Sequence, residues 1–152
     1  MFLRVLALVW FAQSATVIMI RHGEKDAKDD LSHRGIQRAW CLARLLSHQP
    51  FNISHIYAFN DRPSRRAVQT VTPLAGKLDL AIDTTFGRND VSELASQLAA
   101  LSNEVMVLVC WEHKYLSLIA AHLGIHPAPK YRKFDLVWIV LDKKLHVAQQ
   151  GC

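Results

Sequence analysis

The stretch Val17-Ile18-Met19-Ile20-Arg21-His22-Gly23-Glu24 decides how the rest of this chain is read. Four apolar residues, three of them β-branched, give way abruptly to arginine, histidine and glycine. That pattern predicts a buried strand ending at its carboxyl edge. Ligands of open α/β sheets bind outside that edge, so His22 stands where chemistry is expected.

Working outward, two more strands end in the same manner. His55 to Phe59 reads as a strand closed by Asn60-Asp61-Arg62-Pro63. Val105 to Cys110 is continuously apolar, as suits a parallel strand covered on both faces, and it stops at Trp111-Glu112-His113. Helical patterns lie between. Ser32 is an N-cap for a helix with Ile36, Trp40, Ala43 and Leu46 facing the core and Gln37, Arg38, Cys41 and Arg44 on the other sides. A second helix starts near Ser64 with Val68, Val71, Ala75 and Leu78 inward, and Pro73 predicts a kink in it. Leu80 to Ile82 reads as a minor strand. Asp90 and Glu93 fit a capping box for a third helix, which buries Leu94, Leu98 and Leu101. A fourth helix presents Leu116, Ile119, Ala120 and Leu123, with Gly124 closing it. Val137 to Leu141 and Leu145 to Ala148 form a hairpin turning at Asp142-Lys143-Lys144. Alternating strands and helices predict the α/β class. The expected architecture is a three-layer sandwich, a mostly parallel central sheet flanked by helices, with a C-terminal β-hairpin.

At 152 residues the chain is long enough for one domain with a sizeable core, expected over residues 16–152. Residues 1–15 read as a signal peptide: a positive start to Arg4, an apolar stretch from Val5 to Ala12, and small residues at Ser14 and Ala15. The competing reading is an extra strand or helix of the mature domain. Gln13 and Ser14 interrupt a run already short of the ~20 residues a membrane span needs. The expected location is therefore secreted or periplasmic, with no membrane attachment after cleavage, and cytoplasmic if the segment is no signal. Asn52-Ile53-Ser54 matches a glycosylation sequon, too short a pattern to carry weight. Cys41, Cys110 and Cys152 match no metal knuckle or CxxC motif; they read as two buried thiols and a loose terminal one, open to an intermolecular bridge. The net charge of +5 favours an acidic or phosphorylated partner. Its 18 Lys and Arg are scattered rather than striped, which argues against nucleic acid.

Parallel strands place their carboxyl ends on one edge of the sheet. Arg21-His22, Asp61 to Arg66 and Glu112-His113 therefore converge on one cleft. Guanidinium forks match the oxygens of a dianionic phosphate. A neutral imidazole among them can attack phosphorus, and a second histidine, if protonated, stabilises charge on the transferring group.

With those residues assembled, the pattern resembles the histidine phosphatase superfamily, also called phosphoglycerate-mutase-like. Arg21-His22-Gly23-Glu24 after an apolar strand resembles its signature. Leu31-Ser32-x-x-Gly35-x-Gln37-x-Ala39 is similar to its first-helix motif, and Arg66-Ala67-x-Gln69-Thr70 to its second arginine motif. His113 occupies the place of its second histidine. Trp111-Glu112-His113 and Phe134-Asp135-x-x-Trp138 are similar to a compact subgroup. Four motifs in order make a stronger signal than Arg-His-Gly alone.

The resemblance implies a metal-independent phosphomonoester hydrolase with no cofactor, acting on a small phosphorylated substrate or a phosphopeptide. His22 is then the phosphoryl-accepting nucleophile, Arg21 and Arg66 the phosphate ligands, and His113 a further ligand. One departure concerns the general acid, which many members supply from a glutamate before the third helix or a residue after the second histidine. Here those places read Gly87-Arg88-Asn89-Asp90 and Lys114. Glu112 leads as donor, with the alternative that it only orients an arginine, ahead of Glu24 and of Asp90, which reads first as a helix cap. Arg65 reads as a solvated neighbour, and Arg62 and Arg88 as solvated charges with the alternative of lining the mouth and recruiting anions. A phosphate-binding pseudoenzyme or interaction module is the alternative, and a phosphomutase ranks below it because the compact chain has little room for enclosing insertions.

Overall fold

The computed structural model describes residues 13–152, so the apolar part of the expected signal, through Ala12, lies outside the described residues. The strands are β1 (Thr16–Arg21), β2 (Ile53–Ala58), β3 (Ile82–Asp83), β4 (Met106–Trp111), β5 (Leu136–Leu141) and β6 (Lys144–Gln149). The helices are α1 (His33–Leu46), α2 (Arg66–Leu78), α3 (Val91–Ala99) and α4 (His113–His122). Among the described residues, one six-stranded sheet runs in the order β3-β2-β4-β1-β5-β6. β1, β2, β3 and β4 pair in parallel, whereas β5 and β6 join as antiparallel strands.

The central pair explains the class. Val17 to Ile20 and every residue of β4 are buried, so side chains on both faces of these strands need cover. α1 packs on α2 and α3 on α4, and with right-handed crossovers the strand order puts one pair on each face. The C-terminal hairpin turns at Asp142 and Lys143, both with positive φ, the geometry that matches strand twist. Gln13 and Ser14 dock on that turn, donating backbone N–H groups to Asp142 Oδ1 at 2.8 and 3.1 Å.

Several expectations about side-chain direction need correction. Ile36 and Trp40 are half exposed, while Arg38 is turned inward. The inward stripe of α1 keeps the expected Ala43 and Leu46 and is completed by Gly35, Ala39 and Leu42 in place of Ile36 and Trp40. The Asp90–Glu93 capping box does not form: Asp90 makes no side-chain cap bond, and Glu93 accepts from Ser92. α2 begins at Arg66 rather than Ser64 and runs through Pro73 as a single helix.

The cysteines also differ from expectation. Cys41 and Cys152 form an intramolecular disulfide across 111 residues, and Cys110 is the buried thiol. The antiparallel return of β6 brings the chain's end back to α1, a proximity that a spacing pattern does not encode.

Candidate active site

β1 and β4 place the nucleophile candidate. Arg21 is in register with Trp111, and one residue on, His22 N–H donates to the Trp111 carbonyl at 3.1 Å. That bond lays the segment carrying Glu112 and His113 beside His22. The His22 side chain is only 3% exposed. Its Nδ1 lies 2.8 Å from the Gly23 carbonyl oxygen, which can only accept. The ring proton therefore sits on Nδ1, and Nε2 keeps its lone pair. Burial, and then the Arg66 and Arg21 charges, push the pKa down to about 4, outweighing the Gly23 bond. The ring is neutral at neutral pH.

The following loop is held just as closely. Gly23 N–H donates to Thr70 Oγ1 at 2.8 Å, and Thr70 donates in turn to the Arg66 carbonyl at 2.7 Å. The loop after β1 is thus stitched to the first turn of α2, where Arg66 sits. Ser32 N–H donates to the Glu24 carbonyl at 2.8 Å, and Ser32 Oγ accepts from Gly35 N–H at 3.1 Å. A Cβ on Gly35 would lie 2.2 Å from the Glu24 oxygen. Only glycine lets α1 seat on the loop after β1, which gives Leu31-Ser32-x-x-Gly35 its physical sense.

Three cationic or polar groups surround this loop. The Arg21 guanidinium lies 3.8 Å over the Phe134 ring. Arg66 is 7% exposed and donates through Nη1 to Asp29 Oδ1 at 3.0 Å. His113 opens α4 and is held mainly neutral by burial and by the nearby Arg21 charge. Arg21 Nε, Arg66 Nε and His113 Nδ1 are buried without a hydrogen-bond partner. Unpaired buried polar atoms are costly, so three of them gathered at the strand ends mark a place for a ligand of complementary charge. The site residues expected from sequence thus lie on the same edge, and the charges of Arg21 and Arg66 both act on His22.

At the sequence level the chain matches no family model and no curated protein. Solved structures do match. The protein histidine phosphatase SixA complexed with tungstate superposes with a TM-score of 0.68 at 22% identity, covering 89% of this chain and 97% of that one. A mycobacterial glucosyl-3-phosphoglycerate phosphatase in complex with inorganic phosphate gives 0.61 at 15%, covering 88% and 95%. A phosphoglycerate mutase from Plasmodium falciparum gives 0.60 at 15%, covering 91% of each chain. The fold is phosphoglycerate-mutase-like.

Within this phosphoglycerate-mutase-like fold, the three expected proton donors are all engaged elsewhere. Glu112 Oε2 accepts from Arg88 Nη1 at 3.1 Å, and Oε1 lies 3.5 Å from Lys114 Nζ. Burial opposes ionisation, but Arg88 and Lys114 outweigh it and hold this carboxyl below the usual range. Glu24 is likewise held low against burial by Arg38, whose Nη2 donates at 2.7 Å. Asp90 Oδ2 accepts from the Gly87 N–H at 2.8 Å, so it serves its own loop. Among the described residues, no group of three or more His, Cys, Asp or Glu is placed to hold a metal ion.

Four residues make contacts here beyond the roles read from the sequence. Arg88 is not a solvated charge: its N–H donates to Asp61 Oδ2 at 2.7 Å, its carbonyl accepts from Trp111 Nε1 at 2.9 Å, and its side chain reaches Glu112. Asp29, Arg38 and Phe134 were also unassigned. Phe134 carried a signal in the Phe134-Asp135-x-x-Trp138 pattern; Asp29 and Arg38 carried none, because opposite charges at 37 and 14 residues' separation have no local signature. Arg65, by contrast, is an exposed charge paired with Asp30 at 3.1 Å.

Proposed function

We propose that the protein is a phosphatase that transfers a phosphoryl group from its substrate to His22 Nε2 and then to water. The observation that carries this reading is the single tautomer of His22: its Nδ1 proton is committed to Gly23, leaving a neutral, unprotonated Nε2 at the cleft edge. In the first step Nε2 bonds to phosphorus as the bond to the leaving group breaks. A water molecule then attacks the phosphohistidine, releasing inorganic phosphate and restoring the lone pair. Arg21 and Arg66 hold the phosphoryl oxygens as paired forks, and neutral His113 contributes a hydrogen bond rather than a charge.

Leaving-group protonation is the point at which the chain departs from a simple phosphomonoesterase. Glu112 is paired with Arg88 and Lys114, so it orients Arg88 and is not a ready proton donor. The favoured substrates are those whose leaving group departs with little help, such as phosphoramidates or aryl phosphates. The neighbour named as a protein histidine phosphatase fits that chemistry. The Cys41–Cys152 disulfide is consistent with an exported protein, as the N-terminal residues suggested.

The same pairing of Glu112 favours one second reading, a phosphate-binding module without turnover. A single experiment separates them. Hydrolysis of p-nitrophenyl phosphate or phosphoimidazole by the wild type, lost in His22→Ala, supports the phosphatase. Phosphate binding to the wild type with no turnover of either substrate supports the module.

A further inference from the structure

Arg21 and Arg66 flank the same histidine but are held by different means. Arg66 is anchored by the Asp29 carboxylate. Among the described residues Arg21 has no carboxylate partner; its contacts are the Phe134 ring at 3.8 Å and the Arg132 carbonyl at 3.5 Å. A guanidinium stacked on a ring in a partly dry site loses freedom about its long stem. The position of Arg21 therefore depends on what holds Phe134.

Gln150 and Cys152 do so. Gln150 Nε2 donates to the Phe134 carbonyl at 2.8 Å, and Gln150 N–H donates to the Asp135 carbonyl at 2.7 Å. Cys152 N–H donates to Asp135 Oδ1 at 3.2 Å. Arg38, which clamps Glu24 in the loop after β1, donates through Nη1 to Gln150 Oε1 at 2.8 Å. Two ties then fix the end of this segment to α1: Arg34 Nη2 donates to the Cys152 carbonyl at 2.7 Å, and Cys152 is bonded to Cys41. Gln150 is itself buried, so these are interior contacts.

We propose that Phe134 is a positioning residue for Arg21, and that the C-terminal segment Gln150–Cys152, closed by the Cys41–Cys152 disulfide, holds Phe134 in place. The phosphate affinity of the site then depends on the oxidation state of a bond outside it. Opening the bond needs a reductant: a dithiol such as dithiothreitol gives two electrons and two protons, leaving two thiols here and its own cyclic disulfide. The effect on phosphate binding rests on the phosphoryl-transfer reading above. The placement of Arg21 does not.

The test uses the full chain and two readouts. The Arg21 Nε–H resonance in nitrogen-15-labelled protein carries a ring-current shift from Phe134. Phe134→Leu should abolish that shift, Phe134→Tyr should keep it, and the Cys41→Ser/Cys152→Ser double variant or dithiothreitol should move it towards the Phe134→Leu value. In parallel, the KM for p-nitrophenyl phosphate should rise roughly five- to tenfold in Phe134→Leu, with kcat changing less and Phe134→Tyr restoring it. Thermal melts confirm that each variant is folded. An Arg21 resonance and KM unchanged in folded Phe134→Leu would overturn the positioning role. A resonance indifferent to reduction would overturn the part played by the disulfide. If the wild type neither binds phosphate nor hydrolyses ester, the phosphatase reading fails, and the resonance alone decides the placement of Arg21.

Discussion

The nitrogen donors and the carboxylates around the strand ends are treated in opposite ways. At the end of β1 and the start of α2, Arg21 and Arg66 leave buried Nε atoms without a hydrogen bond, and Arg88 Nε and His113 Nδ1, beside the end of β4, lack one as well. The carboxylates are engaged: Asp61 and Asp90 accept backbone N–H groups, and Glu112 holds Arg88 and Lys114. Open donors beside closed acceptors suit this edge to an anion. They also explain why a nucleophile was easier to propose than its acid. A donor with nothing to bind points to an absent ligand, whereas a carboxylate already in two ion pairs has no proton to give.

The sharpest way to break this contrast is at an open donor. On the proposed reading, Arg66→Ala removes one fork from the phosphoryl oxygens and should cost roughly 10²–10³ in kcat/KM. A loss of less than about threefold in steady-state assays would mean that Arg66 serves only to pair Asp29. A smaller effect comes from pH. His22 titrates at about 4 in the folded protein and near the ordinary histidine value when unfolded, so the unfolded chain takes up its proton first as pH falls. Its contribution to stability is complete above about pH 6.5 and is lost as pH drops through about 4. Chemical denaturation across that window should show the decline in the wild type and a reduced decline in His22→Ala. The smallest change is expected at an engaged carboxylate. Glu112→Gln should alter turnover of p-nitrophenyl phosphate by less than about threefold, with no steeper dependence on leaving-group pKa. A steepened dependence would restore Glu112 as the proton donor.

How much of this was legible in the chain depended on whether a residue's partner was local or distant. Val17 to Ile20 and Val105 to Cys110 are continuous apolar runs, and both are central parallel strands whose burial follows from that composition. Chemistry at their ends followed from topology alone. The direction of α1 was misread because an amphipathic stripe assumes that apolar residues face inward. Arg38 is inward because Glu24, Asp135 and Gln150 satisfy it there, leaving Ile36 and Trp40 outside. The Cys41–Cys152 bond and the Arg88–Glu112 pair were hidden for the same reason: their partners meet only once the sheet is assembled. Asp90 showed the converse error, since a local capping pattern was outcompeted by the Gly87 N–H in its own loop.

The most direct test of the account is to trap the intermediate. Wild-type protein mixed with a phosphorylated substrate and quenched within the first turnovers should carry a phosphoryl group on the peptide containing His22, labile to acid and stable to base. His22→Ala should carry none. A phosphoryl group found on another residue, or substrate turnover that persists in His22→Ala, would contradict the assignment of His22 as the nucleophile.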